Sequence, residues 1–252
     1  MTSILKTNKL CKSFSTGGIQ QHVLKNLDLE IYQGDFTVIM GPSGGGKSTL
    51  LYALSGMDKP TLGDIIYENG KNIAKMSENE LADFRGINAG FVFQQIYLVD
   101  SMAVLDNVLL SGLLNSKDKA ETVKRAKKLL TTVGISETDY KKFPNQLSGG
   151  EAQRVAVVRA AIHQPKILFA DEPTGALNSQ NAKTVLDILT EFNNCDQSIV
   201  MVTHDINSAL RGNRIIYLKD GRIEGELKLD RYSGENEKRK NQIKEFLNEA
   251  GW

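Results

Sequence analysis

One stretch constrains this chain more than any other: Gly41-Pro42-Ser43-Gly44-Gly45-Gly46-Lys47-Ser48-Thr49. It follows the apolar run Phe36-Thr37-Val38-Ile39-Met40 and precedes Leu50-Leu51-Tyr52-Ala53-Leu54, which reads as strand, glycine-rich turn, helix. The pattern G-x-x-x-x-G-K-[ST] falls at Gly41, Gly46, Lys47 and Ser48, and triphosphate binding accounts for each residue type. Gly44, Gly45 and Gly46 lack a Cβ, so the backbone can curl with its N–H groups turned on phosphate oxygens. The helix beginning near Lys47 points its positive dipole end at the same anion. Lys47 supplies a compact mobile charge for the outer phosphates, and Ser48 a hydroxyl ligand for Mg²⁺. A turn that binds nothing is the alternative, but a chance match in a chain this long is on the order of one per cent.

The 252 residues are enough for one domain with an inserted or appended subdomain. With 31 Lys+Arg against 30 Asp+Glu, the balance argues against electrostatically driven nucleic-acid binding. The basic run Lys124, Arg125, Lys127 and Lys128 reads as a solvated helix face. Cys11 and Cys195 have no metal-ligand spacing and are expected as small buried hydrophobes. The N-terminus lacks a signal peptide's apolar region, and no apolar run approaches the ~18 residues that span a bilayer. A cytosolic chain is expected, with any membrane role supplied by a partner.

Residues 3–40 alternate short apolar segments with turns, which predicts short half-buried strands ahead of the loop. Phe14, just before a glycine turn, reads on its own as core more readily than as a base-stacking platform. Glu68-Asn69-Gly70 signals a hairpin, Ser77 to Glu80 a capping box opening a helix to Phe84, and 90–93 a strand ending in Gln94-Gln95. From about 99 to 163 the apolar period becomes helical. Leu147-Ser148-Gly149-Gly150-Glu151 then opens another helix, and the residues alone leave an anion-binding N-terminus and an ordinary cap equally open.

Ile167-Leu168-Phe169-Ala170 reads as a buried parallel strand delivering Asp171-Glu172 at its C-terminal end, where ligands sit in doubly wound sheets. Two acids there suit a Mg²⁺-organising carboxylate followed by a water-activating one. The strand 198–203 delivers His204-Asp205 to the same edge, which favours a site role for His204 over a structural one. His22 and His163 lack such context. The polar tail 231–252 carries an apolar stripe of Ile243, Phe246 and Leu247, expected to dock on the body.

Taken together, these segments resemble the ATP-binding subunit of ABC transporters, over nearly the whole chain to about residue 226. The signature Leu147-Ser148-Gly149-Gly150-Glu151 is highly diagnostic, and it lies between the phosphate loop and Asp171-Glu172 in the family order. The resemblance implies an α/β P-loop NTPase cassette with a mostly parallel core sheet, an N-terminal antiparallel β subdomain and an inserted α-helical subdomain. Residues 1–228 would form the cassette, with 95–165 as the helical insertion and 229–252 as a helical tail. It also implies that Phe14 stacks on adenine, that Gln94 touches Mg²⁺ and senses the membrane partner, and that Asp171 holds the Mg²⁺ shell. Glu172 would be the general base and His204 would contact the γ-phosphate. Gly41, Pro42, Ser43, Gly44, Gly45, Gly46, Lys47, Ser48 and Thr49 would cradle ATP, with Ser148, Gly149 and Gly150 of a second copy capping it. A homodimer on the cytoplasmic face of the cell membrane, bound to an integral permease, is the expected assembly.

Gly90-Phe91-Val92-Phe93-Gln94-Gln95 and Ala170-Asp171-Glu172-Pro173-Thr174-Gly175-Ala176-Leu177 are most similar to the group serving macrolide export, lipoprotein release and antimicrobial-peptide resistance. Two positions depart from the family: Asn178 stands for the usual aspartate, and Gly45 for a commoner serine. A non-hydrolysing ATP switch is the competing class, and Glu172 argues against it because a switch needs no base. Soluble relatives acting on DNA or ribosomes carry a long coiled coil or two cassettes, and this chain shows neither.

Overall fold

The computed structural model describes residues 2–114, 116–234 and 237–252. Met1, Asn115, Glu235 and Asn236, which fall in the expected cassette, helical insertion and tail, lie outside the described residues. The chain opens with two 14-residue strands, β1 (Ser3–Thr16) and β2 (Ile19–Tyr32), rather than several short ones. Register shifts along β1, and left-handed backbone at Lys9 and Asn26, break the alternation that would have announced long strands. With β4 (Leu62–Tyr67) they form an antiparallel sheet in the order β2-β1-β4.

Between β2 and β4 run β3 (Phe36–Met40) and α1 (Lys47–Leu54). The turn after β4 is closed by the Ile66–Asn72 bridge and by the Tyr67 N–H, which donates to the Lys71 carbonyl at 3.0 Å. Helix α2 (Glu78–Asn88) starts on the expected Ser77–Glu80 capping box and runs one turn past Phe84 into β5 (Ala89–Phe93). Helices α3 (Val104–Gly112), α4 (Lys119–Thr132) and α5 (Gly149–Ala161) follow. The chain then returns through β6 (Ile167–Asp171), α6 (Ser179–Asn194), β7 (Ser198–Val202) and α7 (Ile206–Ala209). It ends with β8 (Arg214–Lys219), β9 (Arg222–Lys228) and α8 (Glu237–Glu249).

The larger sheet has the order β5-β6-β7-β3-β8-β9, parallel except for the β8–β9 hairpin. Its central strands are buried on both faces, and their side chains alternate between two cores. Val38, Met40, Leu168 and Met201 face α5 and α6. Ile39, Phe169, Val200 and Val202 face α1 and the antiparallel sheet. The tail docks as its stripe suggested. Ile243 and Leu247 are buried, and Arg239 donates to the carbonyls of Leu210, Gly212 and Asp230. The cysteines do not fit the buried expectation. Cys11 is half-buried, its Sγ accepting the Asn26 N–H, and Cys195 sits exposed at the end of α6.

Candidate functional site

Register places the functional loops side by side. Phe93, Asp171 and Val202 are cross-strand partners, and Val202 pairs in turn with Ile39. Four adjacent parallel strands therefore end at one level and deliver Gln94, Asp171-Glu172, Thr203-His204 and the Gly41 loop to one edge. The order reverses beside β3, whose neighbours are β7 and β8, the crevice where doubly wound sheets bind ligands.

The glycine loop is folded tightly against β8. Gly41 has φ 154°, and a Cβ there would lie 1.9 Å from the Leu218 carbonyl oxygen, so no other residue fits. Gly46 is the left-handed N-cap of α1. Lys47 is buried, and its Nζ donates to the carbonyls of Gly41 (2.8 Å) and Pro42 (2.9 Å). Burial pulls this ammonium below its ordinary pKa, while the charges of Glu172 and Asp171 pull it back up. Pro42, Ser43 and Gly44 are exposed at the rim, and Thr49 is half-buried one residue beyond Ser48.

Ser48 Oγ donates to Asp171 Oδ1 (2.9 Å), and the Tyr52 phenol donates to Oδ2 of the same carboxylate (2.7 Å). Burial, with that hydrogen bond, holds the Tyr52 phenol protonated, which makes it the donor. Glu172 follows in left-handed backbone, φ 47°, with its N–H donating to the Val202 carbonyl. A non-glycine residue there stores strain, of order 1 kcal/mol, and the turn aims the side chain off the sheet edge. Its Oε1 lies 2.8 Å from His204 Nδ1. His204 is exposed and Glu172 largely covered.

Gln94 is exposed, and its amide lies against Gly175 in the loop after Glu172; a Cβ on Gly175 would lie 2.9 Å from Nε2. Phe14 is 43% exposed, which overturns its reading as a core residue. The Lys12 ammonium lies 4.9 Å from its ring centre and is anchored by Asp58. Phe14 pairs with Gln21 on β2, two residues from Val23, whose carbonyl abuts Gly46. The aromatic therefore rides on the hairpin whose second strand packs against the phosphate loop.

Ser148, Gly149 and Gly150 are organised otherwise. Ser148 caps α5 in a full capping box with Glu151, donating to its carboxylate at 2.7 Å and accepting the Glu151 N–H. Those bonds hold Glu151 below the ordinary carboxylate range. Within one chain, the cap reading is the one realised. Ser148 and Gly149 are exposed, while Gly150 is buried against Asn181, where a Cβ would sit 2.4 Å from the amide carbon.

Sequence reasoning missed the residues that tie these loops together. Gln153 Nε2 donates to the carbonyls of Phe93 and Pro173, joining α5 to the strand before Gln94 and to the loop after Glu172. Arg159 grips the carbonyls of Ile96 and Tyr97, and buried Asn107 bonds to Val99, Met102 and Ala103. A polar residue on an apolar helix face was the available signal: Gln153 stands among Val155, Ala156 and Val157.

The family model described as ABC transporter matches residues 24–175. The chain belongs to the ABC transporter family. It is an ATP-binding subunit of that family with ATPase activity. Among similar ABC proteins, an uncharacterized ATP-binding protein of Methanocaldococcus jannaschii is 44% identical over 220 residues, covering 87% of this chain and 97% of its own length. The bacitracin export ATP-binding protein of Halalkalibacterium halodurans is 42% identical over 222 residues, covering 88% and 87%. A dimeric ATP-binding cassette, solved in a post-hydrolysis state with ADP and Pi, superposes with a TM-score of 0.82 at 40% identity, covering 90% of this chain and 99% of that one. These likenesses establish the α/β cassette with its mostly parallel sheet and antiparallel N-terminal sheet.

Proposed function

We propose that this subunit dimerises around ATP and drives a membrane permease that exports or extracts a peptide, lipid-linked or antibiotic-like substrate. The observation that carries the ATPase half is the constellation of Lys47, Ser48, Asp171, Glu172 and His204 on adjacent strand ends. Gly41 to Thr49 form the floor for the phosphates, and Phe14 supplies an exposed face for the adenine. In hydrolysis a water oxygen bonds to the γ-phosphorus, the bond to the β-bridging oxygen breaks, and the water's proton passes to the Glu172 carboxylate. His204 now occupies one Glu172 oxygen, so arrival of the γ-phosphate beside His204 would release that carboxylate for the water.

Ser48 Oγ and Asp171 are hard oxygen donors suited to Mg²⁺, with Gln94 a further oxygen on the neighbouring strand end. Among the described residues no cluster of three or more His, Cys, Asp or Glu stands ready for a metal, so the ion would draw the rest of its shell from phosphate and water. When bound it neutralises charge on the transferring phosphate. Among the described residues no helix is long and apolar enough to cross a membrane. In this reading the subunit is peripheral and its permease holds it at the cytoplasmic face. Near-neutral charge supports a role without nucleic acid. The bacitracin-export relative favours an antimicrobial-peptide-type cargo.

Phosphate release by the wild type and by Glu172→Gln tests the base. The variant is expected to bind ATP normally and turn over on the order of a thousandfold more slowly. Equal rates would remove Glu172 from that role.

A further inference from the structure

The Asp171 carboxylate is gripped by two residues of the same helix. Ser48 and Tyr52 are four apart in α1 and so share a face. Ser48 takes Oδ1 at 2.9 Å and Tyr52 takes Oδ2 at 2.7 Å. We propose that Tyr52 is a positioning residue for the cation site: its phenol holds one oxygen of Asp171 so that the other stays aimed at Ser48.

An aspartate's terminal torsion is broad and roughly two-fold, so an unclamped Asp171 would exchange its oxygens and swing away from Ser48. The phenol removes that freedom from the oxygen farther from Ser48. It leaves Oδ1 for the cation's shell once the Ser48 hydroxyl turns its lone pair on the ion. Tyr52 is itself fixed at the end of its helix. Its carbonyl accepts from the Met57 N–H (2.9 Å), the Asp58 N–H (3.1 Å) and Ser55 Oγ (3.0 Å). Asp58 in turn grips Lys12, which lies over the Phe14 ring, so the same short turn steadies the residues proposed for the cation and for the adenine. Partners of this kind, one step behind the metal ligands, set ligand orientation and affect metal affinity strongly.

This inference rests on the reading of Ser48 and Asp171 as cation-holding residues, and its test separates the two. A fluorescent ATP analogue (mant-ATP) is titrated into wild type and Tyr52→Phe, once with Mg²⁺ and once with EDTA. In wild type, Mg²⁺ is expected to tighten binding. In Tyr52→Phe, affinity in EDTA should stay at the wild-type value while the Mg²⁺ enhancement falls about tenfold, and the Mg²⁺ concentration at half-maximal ATPase rises. An undiminished enhancement in Tyr52→Phe overturns the role of Tyr52 alone. An equal loss in EDTA and in Mg²⁺ also overturns it, by assigning the phenol to structure. No enhancement in wild type would instead remove the cation reading on which it rests. Should Tyr52→Phe fail to fold, 3-fluorotyrosine placed at position 52 keeps the question open to measurement. Its ¹⁹F resonance in nucleotide-loaded protein should move when Mg²⁺ is added, and a stationary resonance overturns the proposal.

Discussion

The two glycine-rich helix starts of this chain, at Lys47 and at Gly149, invite comparison because in both glycine stands at the helix N-terminus. They are built for different work. At the first, the N-cap is Gly46, with no side chain to satisfy the first turn, and the buried Lys47 ammonium is folded back on its own loop. At the second, Ser148 and Glu151 satisfy each other, and a carboxylate stands at the exposed helix start. The first is a pocket shaped within one chain. The second is a surface cap that gains an anion only if another molecule brings one, the proposed trans half of an ATP sandwich.

Breaking the first half should have the larger effect. Lys47→Ala removes a charge-assisted contact and is expected to weaken ATP binding about a hundredfold in equilibrium titrations. Ser148→Ala should leave ATP affinity of the monomer unchanged, cost about 1 kcal/mol in thermal or denaturant unfolding from the lost cap, and lower cooperative ATPase turnover about tenfold. If Ser148→Ala weakens monomer affinity as Lys47→Ala does, the contrast between the two helix starts is wrong.

The contrast was half legible in sequence. Glycine spacing, lysine and serine after a buried strand define the first site, because chemistry and backbone geometry demand the same residues there. The second segment reads equally as cap or anion site, since Ser-x-x-Glu satisfies a helix start whatever else approaches. Other features were hidden because they join distant parts of the chain. Tyr52 reaches Asp171 across 119 positions, and Gln153 reaches Phe93 across 60. The long N-terminal strands were concealed by bulges at Lys9 and Asn26, and Phe14 looked like core until the hairpin carried it to the surface.

Asn178 sharpens the comparison at a third helix start. It caps α6, its Oδ1 accepting the Asn181 N–H at 2.9 Å, and an aspartate would make the same bond with added charge. Asn178→Asp should therefore fold normally and change ATPase rate by a few-fold while ATP affinity holds. Steady-state kinetics showing a shifted affinity at constant rate would contradict this.

The smallest effect lies outside both halves and calibrates stability measurements made across pH. Burial at the end of α5, with Arg125 nearby, pulls the His163 imidazole below its ordinary value of 6.5. The unfolded chain then binds the proton first, so stability at this site is full above pH 6.5 and declines as pH falls toward the lower folded value. Urea midpoints should fall over that window for wild type and less steeply for His163→Gln. A parallel decline would place the titration elsewhere.

The central claim is that ATP held on Lys47 of one molecule is closed over by Ser148 of another. Light scattering of Glu172→Gln with ATP and Mg²⁺, alone and with Ser148→Arg added, tests it directly. The account predicts a dimer that appears with ATP and is abolished by Ser148→Arg while nucleotide still binds. A single-chain mass at every ATP concentration, with and without the permease, or a dimer indifferent to Ser148→Arg, would contradict it.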